Sequence, residues 1–333
     1  MRQLKIHGPG DLRLDEVPEP TPGPRDAVVR VAACGICGSD VGYARLGGLA
    51  GPTGEPMPLG HELAGTVAAL GGEVRDLAVG TRVVLNPGLA RIGNGGPEGG
   101  FAPLLLVRDA AAGESLFPIP DDLPFDRAAL AEPLGVGMNA VNRSGACAGE
   151  KVAVFGAGPI GLAAVATLHD RGVEDVVAID LSDARLALAE KLGARATVNP
   201  AREKPWERLK ELHGTAPMMG HPLAATDAFV EASGAPPVIP DLIANAREEA
   251  RIAVVALHRE PVAVSFLLVM MKQLTIRGAM EYPEDYRDMI DLLARRDLGA
   301  MITHRFALGR IDEAFAVARD PDAGGKVIVE MES

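Results

Sequence analysis

Cysteine is scarce in this chain of 333 residues, which contains three, and aromatic side chains make up 4% of it. An odd number of cysteines, Cys34, Cys37 and Cys147, argues against a disulfide framework. The apolar run from Phe266 to Met271 is much too short to span a bilayer, and the N-terminal segment lacks the continuous apolar stretch of a signal peptide. We therefore expect a cytoplasmic protein with no membrane partner.

Clusters of lysine and arginine are also missing. Lys and Arg total 33 against 45 Asp and Glu, which gives a net charge of −12 and a pI near 5.1. Because proteins that bind nucleic acids neutralise the backbone phosphates with such basic clusters, we expect no nucleic-acid partner. The hydrophobic fraction of 47% is ordinary for a globular protein. The length exceeds the usual limit of a single core, so two domains are expected.

Glycine and proline are dense in the first part of the chain, with short β-branched runs at 27–31 and 81–85 between them. This pattern predicts an irregular, mostly β domain. From about residue 150, strand-like runs alternate with helix-length segments, which predicts an α/β fold with a doubly wound parallel sheet. The six predicted strands are 152–155, 175–179, 196–198, 228–231, 252–257 and 274–277. Further along, a helix is predicted over 283–296 and a strand over 326–330.

A glycine fingerprint follows the first of these strands. Gly156, Gly158 and Gly161 precede or open a helix that is expected to begin near Pro159 and Ile160. The first glycine permits a tight turn, the second lets a pyrophosphate approach the backbone, and the third allows close packing of helix on strand. The helix N-terminus then offers free N–H groups to the phosphates. The motif predicts a dinucleotide site.

Asp180 lies at the end of the next strand, at the spacing of the carboxylate that accepts the ribose hydroxyls of NAD. Its charge would repel a 2′-phosphate, which favours NAD over NADP. The competing interpretation is that Asp180 caps the following helix beside Ser182. Arg185 is a dissenting residue, since an arginine at this corner could accept a 2′-phosphate; we interpret it as part of a solvated helix face.

Three further strings carry metal-binding residue types. They are Cys34-Gly-Ile-Cys37-Gly-Ser39-Asp40, Gly60-His61-Glu62 and Ala131-Glu132-Pro133-Leu134. A thiolate, an imidazole and carboxylates are the ligands of zinc sites that keep one position open for water or substrate. The Cys-X-X-Cys pair could instead be a redox motif, but it lacks the thioredoxin-like setting, and Cys34 is expected to be a small buried residue.

In these strings and in the glycine fingerprint the chain resembles the zinc-dependent medium-chain dehydrogenase/reductase family, within the branch of sorbitol, butanediol and threonine dehydrogenases. The resemblance covers nearly the whole sequence. It implies a mostly β, GroES-like catalytic domain over 1–136, a Rossmann coenzyme domain over 137–279, and a return to the catalytic domain over 280–333. Relatives are dimers or tetramers, so a homodimer or homotetramer is expected.

The resemblance also implies roles for the residues of the metal strings. Cys37 and His61 would be direct zinc ligands, and Glu62 and Glu132 would share the remaining protein position while water or a substrate oxygen takes the open one. Asp40 would accept a hydrogen bond from the His61 imidazole.

Two further residues receive roles by the same resemblance. Ser39 would take the proton from the substrate oxygen. Lys326 matches a basic residue that approaches the coenzyme pyrophosphate in some relatives, although an exposed strand lysine is an equal alternative.

Two features depart from the family pattern. Residues 86–101 contain no cysteine, whereas many relatives bind a second, structural zinc there with four cysteines; a single catalytic zinc per chain is therefore expected. Gly42 stands where relatives often carry a histidine that passes the proton to water. The proton is therefore expected to leave through ordered water or a ribose hydroxyl, with water or Tyr43 filling the space.

The expected activity is reversible transfer of a hydride between a secondary alcohol or vicinal diol and NAD, assisted by zinc. A threonine 3-dehydrogenase-like enzyme shares the same strings and is the first alternative. A zinc-free quinone or enoyl reductase of the same superfamily lacks the cysteine and glutamates seen here. A coenzyme-binding regulatory protein that has lost turnover is the alternative of another class, disfavoured by the presence of Cys37, His61 and Ser39.

Overall fold

The computed structural model describes residues 1–331. The chain forms two units, one made of Met1–Pro133 with Asp285–Ser333 and the other of Leu134–Glu284. The family resemblance placed the corresponding boundaries at 136 and 280. Among the described residues, every helix is too short or too polar to cross a membrane.

Unit 1 begins with short strands, with one helix between the third and fourth. The elements up to the boundary are β1 (Arg2–Gly8), β2 (Asp11–Glu16), β3 (Ala27–Gly35), α1 (Gly38–Leu46), β4 (Met57–Pro58), β5 (Glu62–Leu70), β6 (Arg82–Leu85), β7 (Leu104–Val107), β8 (Leu116–Pro118), α2 (Phe125–Ala128) and α3 (Ala131–Ser144), the last of which contains the boundary.

Unit 2 then alternates strands and helices. Its further elements are β9 (Lys151–Phe155), α4 (Pro159–Asp170), β10 (Asp175–Ile179), α5 (Asp183–Leu192), β11 (Ala196–Val198), α6 (Pro205–His213), β12 (Thr215–Met218), β13 (His221–Ala224), β14 (Ala228–Glu231), α7 (Val238–Asn245), β15 (Arg251–Val254), α8 (Phe266–Met271) and β16 (Thr275–Gly278). The remaining helices and strands belong to unit 1: α9 (Arg287–Arg295), β17 (Ile302–Ala307), α10 (Ile311–Arg319) and β18 (Lys326–Glu330).

Unit 1 is built on a sheet of order β17-β18-β3-β5-β6-β8, with β7 also paired to β3, and on a smaller sheet of order β2-β1-β4. The long antiparallel pair of β3 with β5 forms its centre. Apolar side chains from these strands pack with Phe101 and Phe315, whose rings meet edge to face at 6.0 Å. The mostly β character expected for this part of the chain is confirmed.

Unit 2 contains a six-stranded parallel sheet of order β11-β10-β9-β14-β15-β16. Its central strands are apolar and buried along nearly their whole length, as expected where helices cover both faces. The order reverses between β9 and β14, which is the topological switch of a doubly wound fold. The predicted α/β fold class is confirmed, and all six predicted runs correspond to strands.

The differences from the predicted elements have local causes. β15 ends at Val254 because the next two backbone N–H groups, of Val255 and Ala256, both donate to the carbonyl of Glu231 and turn the chain. The helix predicted from residue 283 begins at Arg287, whose backbone N–H donates to Oδ1 of Asp285 at 2.9 Å in the turn that precedes the helix. The β12–β13 hairpin was not predicted from the sequence.

Candidate metal centre and coenzyme site

Cys37 is held at the junction between β3 and α1. It occupies the N-cap position of α1, and its backbone N–H donates to Oδ2 of Asp40 at 2.9 Å. Such a bond from the third helical residue back to the cap fixes the entry of a short helix. The helix ends at Gly47, which is left-handed with φ of 82°. The Asp40 contact and Gly47 thus fix the two ends of this nine-residue helix, and with them the position of Cys37.

His61 and Glu62 lie at the start of β5, directly across the sheet from the end of β3. Gly60 has φ of 94°, and a Cβ there would lie 2.8 Å from the backbone nitrogen of Phe101, so no other residue fits this turn. Glu62 pairs in register with Gly35. A Cβ on Gly35 would lie 2.2 Å from Oε2 of Glu62, so the absent side chain makes room for the carboxylate.

The ligand atoms of Cys37, His61 and Glu62 all lie within 4.8 Å of one another. His61 and Glu62 are buried, and Oε2 of Glu62 has no hydrogen-bond partner among the described residues. A buried, unpaired carboxylate oxygen is unfavourable unless something else binds it. A thiol, an imidazole and a carboxylate in this arrangement fit a zinc ion with one position left for another oxygen. Within residues 1–331 this is the one such group of three.

Ser39 and Asp40 flank the two ring nitrogens of His61. Oγ of Ser39 lies 3.4 Å from Nε2, and Oδ1 of Asp40 lies 3.5 Å from Nδ1. The contact between His61 and Asp40 is long for a hydrogen bond, and the Asp40 carboxylate also accepts from the backbone N–H groups of Cys37 and Gly60. Burial alone would lower the pKa of His61, but Asp40 and Cys37 outweigh it and raise that pKa well above its ordinary value.

Lys326 is buried at the start of β18, with 2% of its surface exposed. Its Nζ donates to Oε1 of Glu62 at 2.6 Å and to the carbonyl of Ile36 at 3.1 Å. The alternative of an exposed strand lysine is wrong, because the ammonium is buried against the carboxylate of Glu62. Burial alone would lower the pKa of Lys326, but the charges of Glu62 and Cys37 outweigh burial and raise that pKa above its ordinary value.

Glu132 lies in the first turn of α3 and is buried, but it is outside the group formed by Cys37, His61 and Glu62. Its charge still acts on this region. Burial, followed by the charges of Glu132 and Glu62, raises the pKa of Tyr286 well above its usual value. The hydroxyl of Tyr286 donates to the carbonyl of Leu85 at 2.9 Å.

Tyr43 lies one helical turn beyond Ser39, on the same side of α1. Its hydroxyl donates to Oδ1 of Asn94 at 3.3 Å. The side chain is half-buried, and burial raises its pKa, which the nearby His61 partly offsets. Tyr43 is therefore close to Cys37 and His61, next to the position where Gly42 provides no side chain.

The glycine fingerprint forms the turn between β9 and α4. Gly156 has φ of 94°, and a Cβ there would lie 2.7 Å from the backbone of Ala232 and Ser233. A Cβ on Gly161 would lie 1.8 Å from the carbonyl oxygen of Gly156, so this position requires glycine for helix packing. A Cβ on Gly158 would meet no atom within 4 Å. The second glycine therefore borders open space, as close approach of a pyrophosphate requires.

Helix α4 begins at Pro159, with Gly158 as its N-cap and with Ile160 and Gly161 in the first turn. The backbone N–H groups of a first turn have no partners within the helix. Together with the positive end of the helix dipole they make this terminus suitable for a phosphate.

Asp180 lies at the carboxyl end of β10, facing the glycine turn. Its Oδ2 accepts from the backbone N–H of Ala157 at 2.7 Å, and its Oδ1 accepts from the N–H of Ser182 at 2.8 Å. The first bond ties the carboxylate to the coenzyme turn, and the second belongs to the turn that leads into α5. The N-cap of α5 is Ser182, so Asp180 lies two residues before that cap and does not itself cap the helix.

The Lys326–Glu62 pair was missed in the sequence. A lysine that begins the apolar strand 326–330 is a signal, because a charge in a buried strand requires a partner of opposite sign. The identity of that partner could not be read, since Glu62 is separated from Lys326 by most of the chain.

Two family models match this chain. The alcohol dehydrogenase GroES-like domain covers residues 23–121, and the zinc-binding dehydrogenase domain covers residues 159–295. Together they span more than half of the sequence.

Known proteins resemble the chain over nearly its full length. Sorbitol dehydrogenase of Homo sapiens is 33% identical over 94% of this chain and 91% of its own length. The structure of 2R,3R-butanediol dehydrogenase from Bacillus subtilis superposes with a TM-score of 0.86, at 28% identity and 99% coverage of both chains. A candidate zinc-binding dehydrogenase from Sinorhizobium meliloti, bound to NADP, superposes with a TM-score of 0.83 at 28% identity, covering 99% of this chain and 98% of its own.

Proposed function

This chain belongs to the zinc-dependent medium-chain dehydrogenase family, and we propose that it oxidises a secondary alcohol or vicinal diol reversibly to the ketone, with NAD as the coenzyme. The observation that carries the proposal is the grouping of the Cys37, His61 and Glu62 ligand atoms within 4.8 Å. The names of the sorbitol and butanediol dehydrogenases that it resembles support a polyol or diol as the substrate class.

The metal-binding set we propose is Cys37, His61 and Glu62, with one zinc per chain. Glu62 is favoured over Glu132 as the third ligand because its Oε2 is buried and unpaired within the group, while Oε1 is held by Lys326. The absence of cysteine from 86–101 supports a single zinc. A thiolate ligand also favours a reducing compartment, which agrees with the cytoplasmic location expected from the sequence.

Zinc, when bound, supplies a Lewis acid that polarises the alcohol oxygen, and the nicotinamide coenzyme supplies the hydride acceptor. The residues of the chain orient the reacting groups and remove the proton of the alcohol. Oγ of Ser39 lies beside Nε2 of His61 and receives the alcohol proton. Asp40 holds Cys37 in place through the backbone and lies at Nδ1 of His61. Because Gly42 carries no side chain, the proton leaves Ser39 through water or a ribose hydroxyl.

NAD is the proposed coenzyme, bound at the Gly156, Gly158 and Gly161 turn with its phosphates at the N-terminus of α4. Asp180 would accept the ribose hydroxyls and repel a 2′-phosphate. The NADP bound to the Sinorhizobium protein belongs to that protein, and a direct comparison of the two coenzymes decides the matter for this chain.

A homodimer is proposed on the evidence of the surface around β16, the last strand of the parallel sheet. Helix α8, which precedes β16 in the chain, exposes Phe266, Leu267 and Met270. Exposed apolar side chains close to a strand edge are typical of a surface that another copy covers. Light scattering should give twice the chain mass for the wild type, and Phe266→Asp should shift it toward the monomer; a monomeric wild type would contradict the proposal.

The decisive experiment is a substrate screen on zinc-loaded protein with NAD and NADP against sorbitol, 2,3-butanediol, L-threonine and simple secondary alcohols. We expect NAD reduction with at least one polyol or diol. Activity confined to L-threonine would support the threonine dehydrogenase alternative. Coenzyme binding without turnover of any substrate would support the regulatory alternative and overturn the proposal.

A further inference from the structure

Glu231 is a fully buried carboxylate at the carboxyl end of β14. Its Oε1 accepts from the backbone N–H groups of Ser233 and Gly234, both at 2.9 Å, and from Oγ of Ser233 at 2.5 Å. Its Oε2 lies 2.9 Å from Nε2 of His258. These contacts satisfy a charge whose burial would otherwise be strongly unfavourable, and they fix the carboxylate in one position.

The same residue joins two loops. The backbone carbonyl of Glu231 accepts from the N–H groups of Val255 and Ala256, at 2.9 and 3.2 Å. The loop after β14 and the loop after β15 are therefore held together by the main chain of Glu231 and again by its side chain through His258. Val255 and Ala256 immediately follow β15, and His258 lies two residues further along the same loop.

The loop after β14 also adjoins the glycine turn. The N–H of Ala232 donates to the carbonyl of Phe155 at the end of β9, and a Cβ on Gly156 would lie 2.7 Å from the backbone of Ala232 and Ser233. In a doubly wound sheet the ligand binds beyond the carboxyl ends of the strands, at the reversal of strand order. Here that reversal lies between β9 and β14.

Each half of such a sheet binds one mononucleotide. The half formed by β9 to β11 contains Asp180 and would take the adenosine side of the coenzyme. The half formed by β14 to β16 is then left for the nicotinamide side. The two loops joined by Glu231 form the edge of that second half.

His258 makes its hydrogen bond through Nε2, which carries the proton because a carboxylate only accepts. Its Nδ1 is buried and has no hydrogen-bond partner among residues 1–331. Within the described part of the chain, the hydrogen bond of this ring is therefore made to Glu231. A residue arranged in this way acts on a ligand through the groups it positions.

We propose that His258 is a positioning residue for the coenzyme: by holding Oε2 of Glu231, it fixes the loops after β14 and β15 against which the nicotinamide half of the coenzyme binds. The inference rests on the proposed function, because it requires a nicotinamide coenzyme at this edge of the sheet. Loss of the imidazole frees the loop after β15 from the side chain of Glu231 and weakens coenzyme binding.

The test compares His258→Leu, which removes the donor, with His258→Gln, whose amide can still donate to Glu231. NADH affinity is measured by fluorescence titration of the zinc-loaded enzyme, and unfolding midpoints are measured without coenzyme. We expect H258L to weaken NADH binding about tenfold, the effect of losing one hydrogen bond to a charged group, and H258Q to restore most of it. The alcohol KM at saturating NAD should remain unchanged. His221→Leu, at an exposed position at the start of β13, is the matched control and should bind NADH normally.

The inference fails if H258L binds NADH as tightly as the wild type, or if H258Q is as weak as H258L. It also fails if H221L loses the same affinity, or if H258L lowers the unfolding midpoint without changing NADH affinity, since a purely structural role predicts that result. A wild type that bound neither NADH nor NADPH would overturn the proposed function together with this inference. Equal NADH binding by the wild type and H258L would overturn the inference alone.

Discussion

Nζ of Lys326 lies 2.6 Å from Oε1 of Glu62, and both side chains are buried. Lys326 therefore neutralises one oxygen of a carboxylate whose other oxygen has no partner among the described residues. The pair joins β18, near the end of the chain, to β5 in the first part of unit 1. A buried carboxylate beside Cys37 and His61 is thereby given a partner of opposite charge.

Replacing Lys326 by Met should leave Glu62 as an unpaired buried charge. We expect a loss of about 3 kcal/mol in the free energy of unfolding of the metal-free protein, typical of breaking a buried pair from one side. Urea unfolding provides the measurement. The double variant Glu62→Gln/Lys326→Met should lose less than the sum of the two single variants, and strict additivity would show that the two residues are not coupled.

Glu62 and Glu132 should differ in metal binding. Because Glu62 belongs to the ligand group and Glu132 does not, Glu62→Ala and Cys37→Ala should lose zinc, whereas Glu132→Ala should retain about one zinc per chain. Elemental analysis of dialysed protein measures this directly. Two tightly bound zincs in the wild type would contradict the single-site proposal, and loss of zinc in E132A alone would identify Glu132 as the third ligand.

Asp180 should set the coenzyme preference. Replacing it by Ala removes the acceptor for the ribose hydroxyls and the repulsion of a 2′-phosphate, so kcat/KM should fall for NAD and rise for NADP, shifting their ratio by at least about tenfold. Steady-state kinetics with both coenzymes gives the ratio. A wild type that prefers NADP would show that the assignment of Asp180 is wrong.

Ser39 should be required for proton removal. Ser39→Ala is expected to lower kcat about 100-fold or more, the usual contribution of a positioned proton acceptor, with zinc content unchanged. Gly42→His should leave turnover unchanged, or raise it at low pH where proton release is hardest. Full activity of S39A across the pH range would eliminate the proposed route.

Tyr286 should make the protein sensitive to alkali. Its folded-state pKa is raised above the usual value of about 10, so the unfolded chain loses the proton first and stability falls as the pH rises above about 10. Tyr286→Phe removes this dependence but also the hydrogen bond to the Leu85 carbonyl, at a loss of about 1 to 3 kcal/mol near neutral pH. Urea unfolding at pH 8 to 11 should show a flatter alkaline decline for Y286F, and parallel curves for the two proteins would contradict the assignment.

Sequence patterns identified the parallel sheet well because each strand is a short apolar run bounded by turn residues, and such runs depend on local sequence. The glycine turn was equally readable, since Gly156 and Gly161 are required by a positive φ and by close packing. The contacts of Lys326 with Glu62 and of His258 with Glu231 could not be read. Each depends on how separate strands are placed in a sheet, which no local pattern specifies.

The metal strings were placed by their resemblance to a family rather than by spacing, because Cys37 and His61 meet only through the pairing of β3 with β5. The same limit explains why Glu62 and Glu132 could not be told apart in the sequence. Their separation from the cysteine along the chain gives no information on which carboxylate reaches the thiol, whereas the structure groups Glu62 with it.

The missing side chain of Gly35 has a consequence for the evolution of this site. Gly35 and Glu62 face each other across β3 and β5, and a single methyl group at position 35 would occupy the space of the Glu62 carboxylate oxygen. A larger residue at position 35 would therefore displace the Glu62 carboxylate from the proposed metal-binding group. We expect homologous sequences that carry a larger residue at position 35 to carry a smaller one than glutamate at position 62, and to complete their ligand set from another strand.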